Sequence, residues 1–507
     1  MKRKKELLVI LSSLLVIVLS VSVAYFTTKI LGEGKEISVE SADLKVIFTS
    51  GSGTINGTNI EPGWSSAENT FTVKNESNGT YKYNIIIKDL VNTFVTEGFL
   101  QYKITSTDGG YTMADFVDVP KSSTATDTTI AENISIEKGG THNYTVIFKY
   151  LESTEVDQSA DMGKKLSGKI FIEESTFKGG TLSEAMMYYN PVVSTRSGFS
   201  TPFTTNTANT LYKATENGTD VYYFAGQDTA SVPVNNWVKF GKNSSNQDLY
   251  WRIIRTNADG SIRLLYHGTS TTATDAYIGT SEFNTYETSS PKYVGYMYGD
   301  TDDTLEEART NINDSTIKAY IDNWYVNNMT SYTKYLSTTA VYCNDREVGS
   351  GTYSATGLTF YYAAHTRLEA NKTPTYDCTN NNDKFTVDAS TGNGKLTYPI
   401  ALMTADEIAY AGGVPYKKAP MWYYTNSSLE SSTGTQWWWS LPPDIWDGSD
   451  AYSWVVAGSD GPGILDSIDV NGSGGVRPAV SLKSCVQWKS GDGSASNPYE
   501  IVENGGC

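Results

Sequence analysis

At 507 residues the chain has room for two or three domains, and 56 acidic against 39 basic side chains give it a formal net charge of −17. That balance excludes a nucleic-acid backbone as partner and works against an anionic lipid surface. Charged residues make up only 19% of the chain while tyrosine alone numbers 35; with abundant Ser, Thr, Asn and Gly, this is the weakly charged polar surface of exported β-rich modules.

The first element is "MKRKKELLVILSSLLVIVLSVSVAYFTTK". Lys2, Arg3, Lys4 and Lys5 precede an apolar run over residues 7–26 whose polar content is serine. About 20 apolar residues cross a bilayer as a helix, and the small residues Ser22 and Ala24 also suit a secretory signal cut after Ala24. Either way the basic start stays in the cytoplasm and the rest is exported. Residues 1–31 are expected as export signal or membrane anchor, with the membrane as partner if uncleaved. The expected location is extracellular, at the cell surface, or single-pass with a cytoplasmic N-terminus.

Between residues 37 and 174, short alternating or apolar runs are separated by turn residues: "ISVESADLKVIF", "NTFTVKN", "YKYNIIIKDL", "FLQYKITSTDGG", "ENISIEKGG", "HNYTVIFKY" and "SGKIFIEE". Seven strands at this spacing predict one antiparallel β-sandwich over residues 35–175. Tyr83, Ile85 and Ile87 fall on one strand face and are expected as core. The export segment ending in "AYFTTK", the first strand and "NIEPGWSSAENTFTVKNESNGTYKYNI" together resemble the TasA and camelysin family of bacterial surface and biofilm-matrix proteins. Glu61-Pro62-Gly63 stands where that family has a Pro-Gly turn before a strand ending in Asn, here Asn75. The resemblance covers about residues 1–175. It implies a jelly-roll-like sandwich, removal of the signal by a dedicated peptidase, and self-assembly into fibres by strand exchange.

Gly179 and Gly180 close this region, and the Ser/Thr-rich residues 194–210 read as a long loop, so residues 176–215 are expected as linker and lead-in. "DLYWRIIRTNADGSIRLLYHG" predicts a hairpin turning at Asp259-Gly260. "DSTIKAYIDNWYVNN" predicts an amphipathic helix capped by Ser315, with Ile317, Tyr320, Ile321 and Trp324 at helical spacing. "TADEIAYAGG" carries a capping box from Thr404 to Glu407, with Gly412 as the stop.

Cys343, Cys378, Cys485 and Cys507 are an even set in an exported chain and favour disulfides. Neighbour pairing, Cys343 with Cys378 and Cys485 with Cys507, is the simplest of three connectivities, each bridge worth roughly 3 kcal/mol. No C-x2-C spacing occurs and His142, His267 and His365 are scattered, so no metal site is expected. "SIDVNGSGG" lacks the acidic run of a calcium loop.

In "WWWSLPPDIWDGSDAYSWVVAGSDGPGILDSIDVNGSGGVRPAVSL" the reading is a buried strand at the tryptophans, a Pro442-Pro443 turn, strands over 452–457 and 464–470, a turn at Asn471-Gly472, and a closing strand over 476–482. Trp437 and Trp439 share one face and Trp438 takes the other, so part of this indole is core. Trp438, Trp439, Ser440, Pro443, Trp454, Gly461 and Gly475-Val476-Arg477-Pro478, with "NNWVKFG" and "WRIIRTNADGSIRLL" upstream, resemble uncharacterised bacterial surface domains within the formylglycine-generating-enzyme superfamily. The resemblance covers about residues 181–483 and implies a C-type-lectin-like α+β domain, here over 216–483. It also implies ligand contact from the last loop-rich section, which makes Trp446, Tyr452, Trp454, Asp460 and Asn471 the candidate binding residues. Arg477 is expected to be structural, its guanidinium fixed by a carboxylate or by backbone carbonyls. Residues 484–507 are expected as a terminal hairpin stapled by Cys485 and Cys507.

The superfamily's oxidases use a close cysteine pair with copper, and no pair here matches that motif. No nucleophile elbow, zincin helix or phosphate loop occurs, and the carboxylate pairs Asp444 with Asp447 and Asp466 with Asp469 are common features of an acidic chain. The fold expected is mainly β with an α+β head. The function expected is a non-catalytic, cofactor-free surface protein binding a glycan or protein. A structural matrix-fibre subunit and a formylglycine-generating-enzyme-like oxidase are the alternatives.

Overall fold

The computed structural model describes residues 36–507 apart from 42–43, 51–53, 58–59, 77–80, 176, 178, 206, 273–275, 286–288, 419, 426–435 and 504–506, with backbone alone over 36–59. The expected export segment lies outside the described residues. No described helix is long and apolar enough to cross a membrane. The fold is β-rich, with 37% strand against 14% helix, and divides into two compact units at Thr176 and Phe177.

In the first unit one sheet runs in the order Glu36–Ser41, Leu44–Ser50, Asn69–Asn75, Thr141–Tyr150, Leu100–Ser106, Val117–Asp118. A second runs Thr54–Gly57, Leu166–Glu174, Tyr81–Asn92, Ser122–Ile136. All the described pairings here are antiparallel. Alternation drives this arrangement: along Thr141–Tyr150 every second residue from His142 to Tyr150 is buried. Val73, Ile104, Val146 and Phe148 of the larger sheet share one apolar cluster with Tyr83, Ile85, Ile87, Ile170 and Ile172 of the smaller.

Two expectations change here. The first apolar run is two antiparallel strands, Glu36–Ser41 and Leu44–Ser50, rather than one. Ser122–Ile136 is a fifteen-residue edge strand of which only the end was anticipated. Its start, "SSTATDTT", is largely exposed, so it carries no apolar period to read.

The second unit is built on two sheets. The larger follows Val192–Ser194, Thr210–Glu216, Thr219–Tyr223, Asp248–Thr256, Trp237–Lys242, Tyr499–Ile501, Trp488–Ser490, and Ile262–Tyr266, Pro478–Leu482 and Ile400–Leu402 branch from it. The smaller follows Thr280–Ser281, Gly474–Gly475, Trp438–Trp446, Phe360–Tyr362, Val348–Ser350, with Ala451–Val456 and Leu465–Asp469 branching. The hairpin forms as expected: Trp251 pairs Tyr266, and Gly260 takes the positive φ of +78° that its turn needs. Ser315 and Thr404 cap the helices Thr316–Asn328 and Ala405–Ala411. Both expected disulfides are present, Cys343–Cys378 and Cys485–Cys507.

Of the expected linker and lead-in, the described residues of 195–209 are the long loop that their Ser/Thr content predicts, but the stretch before them is not loop. Thr181 and Glu184 form a capping box for a helix over Leu182–Tyr189, whose Leu182, Ala185 and Met186 are buried in the second unit's core. The C-terminal hairpin likewise joins the larger sheet, Val238 pairing Tyr499 in parallel. Pro442 and Pro443 make no turn. They lie inside the strand Trp438–Trp446, where register shifts on both sides of Pro443 show bulges that absorb the missing donors. Gly474 faces Trp437, whose ring occupies the space a Cβ would need.

One polar cluster ties these elements together. The Glu407 carboxylate is 1% exposed and accepts from Arg255 Nε at 2.9 Å and Arg263 Nη1 at 2.7 Å. Its other oxygen accepts the Thr404 N–H. Burial opposes the charge, but the two guanidiniums and that N–H hold its pKa below the usual carboxylate range. Glu407→Gln is expected to cost about 3–5 kcal/mol, because it leaves two buried cations short of a carboxylate. Urea denaturation of the variant beside the parent chain measures that loss, and a shift below about 1 kcal/mol would show that the cluster is not a structural centre.

Candidate functional site

The structure disperses the five expected binding residues. Trp446 and Trp454 are 1% and 0% exposed and belong to the core, so neither indole offers a ligand a face. Their strand neighbours close over them: Trp446 pairs Ala451 and Phe360, and Trp454 packs toward His365 and Tyr416. Tyr452 is half-buried with its hydroxyl toward Asp447, and Asp460 and Asn471 are exposed. Tyr452 pairs Asp469 at one end of its ladder while Val456 pairs Leu465 at the other. Asn471 therefore follows the Tyr452 end and Asp460 belongs to the opposite end, four residues or about 13 Å along the strand.

A different set of residues converges on an open cavity of about 520 Å³. Trp237 and Arg252 stand directly opposite each other on neighbouring strands of the larger sheet. The Arg252 guanidinium lies 4.0 Å from the Trp237 ring centre and 5.5 Å from that of Trp422. Trp422 is fixed by donating its Nε1–H to Phe224 O at 2.9 Å. His267, just past the strand Ile262–Tyr266, meets Trp237 edge-on at 4.5 Å. Gln227, Thr229, Thr272, Tyr424 and Thr425 form the polar rim.

The floor is cationic. Arg252 is 2% exposed, donating Nε–H to Asn236 and Nη2–H to Asp228 at 2.7 Å. Its Nη1 has no partner among the described residues. Behind it, fully buried Arg477 donates to the carbonyls of Tyr266 and Tyr423, and to His267 Nδ1 at 3.3 Å. This is the structural role expected of Arg477, filled by carbonyls and not by a carboxylate. Burial, then the neighbouring Arg252, brings its pKa down to about 10, so it stays charged at neutral pH. Burial first, then Arg477 and Arg252, hold His267 well below its ordinary value, so its ring is neutral. Guanidinium only donates, so Nδ1 accepts and Nε2 carries the proton. Among the described residues, two cations, Arg252 and Arg477, against one carboxylate, Asp228, leave 2 − 1 = +1 at the floor.

A second grouping joins residues that looked unrelated in the sequence. His365 Nδ1 lies 2.7 Å from Asp444 Oδ1, with the ring against Tyr361 at 4.3 Å and Trp454 at 6.1 Å. Among the described residues no hydroxyl or thiol bonds its Nε2, so no nucleophile completes a triad.

The pocket could have been suspected from arginine set in an apolar strand, as in "YWRIIRT". Its walls come from residues 227 to 425, which no local motif connects. Compared with known proteins, the chain matches no family model, no curated protein and no solved structure.

His267 makes the second unit acid-sensitive in a defined way. Its folded pKa is depressed, so only the unfolded chain takes up this proton as pH falls below about 6.5, and stability drops by up to about 1.4 kcal/mol per pH unit. Above that value it contributes no pH dependence. Urea midpoints between pH 7.5 and 5 should show this slope in the parent chain and lose it in His267→Asn.

Proposed function

We propose that this is an exported, non-catalytic bacterial cell-surface protein. In this reading the first unit is a jelly-roll-like β-sandwich stalk, held at the membrane by residues 1–31 if they are not cleaved. The second unit is a C-type-lectin-like module that binds a carbohydrate. Two disulfides suit the oxidising exterior. The observation that carries the binding role is the open pocket, whose floor holds two nearly buried side chains, Arg252 and His267, with donors left unpartnered among the described residues. A folded protein seldom leaves such donors idle except where a ligand or water takes them. A volume of about 520 Å³ lies in the range of small-molecule sites rather than of flat protein interfaces. The four cysteines are all disulfide-bonded, which supports a binding role over an oxidase that needs free thiols.

The test is glycan and surface-protein arrays probed with the whole chain, disulfides intact. Gln227→Ala with Tyr424→Ala should weaken glycan binding about tenfold or more without moving the thermal midpoint. Asp460→Ala with Asn471→Ala should leave it unchanged. The reverse pattern would move the site to the loops.

The matrix-subunit reading rests on the strand Ser122–Ile136, which pairs on one side only among the described residues. Such an edge can accept another strand. Fibres sedimenting in a concentration-dependent way, and suppressed by Thr124→Lys with Thr128→Lys, would support it. A chain that stays monomeric at all concentrations would remove it.

A further inference from the structure

The pocket's charge and donor pattern say more about its ligand than its size does, and the ligand class they indicate rests on the binding role proposed above. Every unpartnered polar atom identified on the floor is a donor: Arg252 Nη1, and His267 Nε2 in the tautomer that Arg477 imposes. Both side chains are more than nine-tenths buried, at 2% and 7% exposure, and both line the cavity. Asp228 is the one carboxylate among the described lining residues, and both its oxygens are engaged. One accepts from Arg252, the other from the Val234 N–H at 3.0 Å. The floor thus offers two N–H groups and a surplus positive charge in a chain whose overall charge is −17.

The hydroxyls of a neutral sugar can accept from both donors but leave the charge uncompensated. A doubly charged phosphate would exceed the single surplus charge and find a neutral imidazole where a second cation is wanted. A carboxylate matches both, with one negative charge and two acceptor oxygens. The rim answers a different chemistry: Gln227, Thr229, Thr272 and Thr425 present amide and hydroxyl groups that exchange hydrogen bonds with a polyol. The tryptophans do not supply stacking platforms. Trp237 and Trp422 are 4% and 2% exposed and hold the guanidinium in place.

We propose that this pocket binds a carboxylate-bearing sugar, a uronic or sialic acid residue, receiving its carboxylate on Arg252 Nη1 and His267 Nε2 and its hydroxyls on the threonine-rich rim. The surplus charge is then neutralised only when the ligand is in place.

The experiment uses the whole chain, disulfides intact. It titrates oligosaccharides ending in glucuronic acid or N-acetylneuraminic acid, their methyl esters, the neutral glucose and galactose counterparts, and sulfated counterparts. An acid is expected to bind at least about tenfold more tightly than its ester, the cost of losing one charge-assisted hydrogen bond. Thr272→Glu, an exposed rim change, removes the same rim hydroxyl from acid and ester but adds a negative charge that only the acid meets, so it should weaken the acid more than the ester and narrow the ratio between them. Arg252→Gln should equalise acid and ester. Because Arg252 is buried, the ester comparison on the unaltered chain and the rim variant decide the matter if that variant fails to fold. Equal binding of acid and ester, or tighter binding of neutral or sulfated sugars, overturns the carboxylate assignment and leaves the binding role standing. Binding of none of these sugars, with free peptide carboxylates binding instead, overturns the saccharide and keeps the anion site. Binding of nothing overturns both readings.

Discussion

Arg255 and Arg263 sit opposite each other in the hairpin register, and the carboxylate of Glu407 is what allows both to be buried there. Like charges facing across a ladder repel, and burial strengthens that repulsion. Glu407 reverses the sign of the interaction and fixes the helix Ala405–Ala411 over the sheet. Glu216 adds a second carboxylate on Arg255, drawing in the strand Thr210–Glu216. Tyr376 and Tyr342 lie against the two guanidiniums at 4.2 Å each. Those tyrosines neighbour Cys378 and Cys343, so the disulfide closes a loop whose two ends are already held by this cluster.

The same strand that carries Arg255 carries Arg252, and the two meet opposite fates. Arg255 is matched by two carboxylates. Arg252 has Asp228 alone, lies in the field of a second buried arginine, Arg477, that meets no carboxylate among the described residues, and opens onto a cavity. An unmatched cation under low dielectric costs several kcal/mol, far more than a surface charge. The first arrangement stabilises the fold, whereas the second retains an unfavourable feature that stability alone does not explain. Sites where local physics is violated without a compensating contact are where function concentrates.

How much of this was legible depended on whether the signal was local. The Asp259-Gly260 turn, the Ser315 cap and the Thr404 capping box are each determined within four residues, and each appeared where expected. The strand Asn69–Asn75 was bounded correctly because its alternation is clean. Residues 182–189 were missed although Thr181 and Glu184 spell a capping box, since the following Ser/Thr-rich stretch dominated the reading. Pro442 and Pro443 suggested a turn because the bulges that accommodate them are set by the partner strand. The pocket was illegible for a deeper reason. Trp237, Arg252 and His267 are joined by the sheet order, and Trp422 by its hydrogen bonds to Phe224 and Gly226, none of which a local pattern encodes.

The run of tryptophans now has a physical account. Among the described residues Trp438, Trp446 and Trp454 have no partner for their indole N–H, a cost of about 1–3 kcal/mol each. Burying roughly 200 Å² of indole returns about 5 kcal/mol by area. Burial wins, and these side chains serve as core. Their position nevertheless bears on the pocket. Arg477 lies over the face of Trp438 at 4.9 Å, and the same guanidinium imposes the tautomer of His267. A rigid indole beneath the arginine fixes the arginine, and the fixed arginine aims a donor into the cavity. The aromatic strand that looked like a binding surface acts one layer below it, by determining which way the pocket's histidine presents its proton.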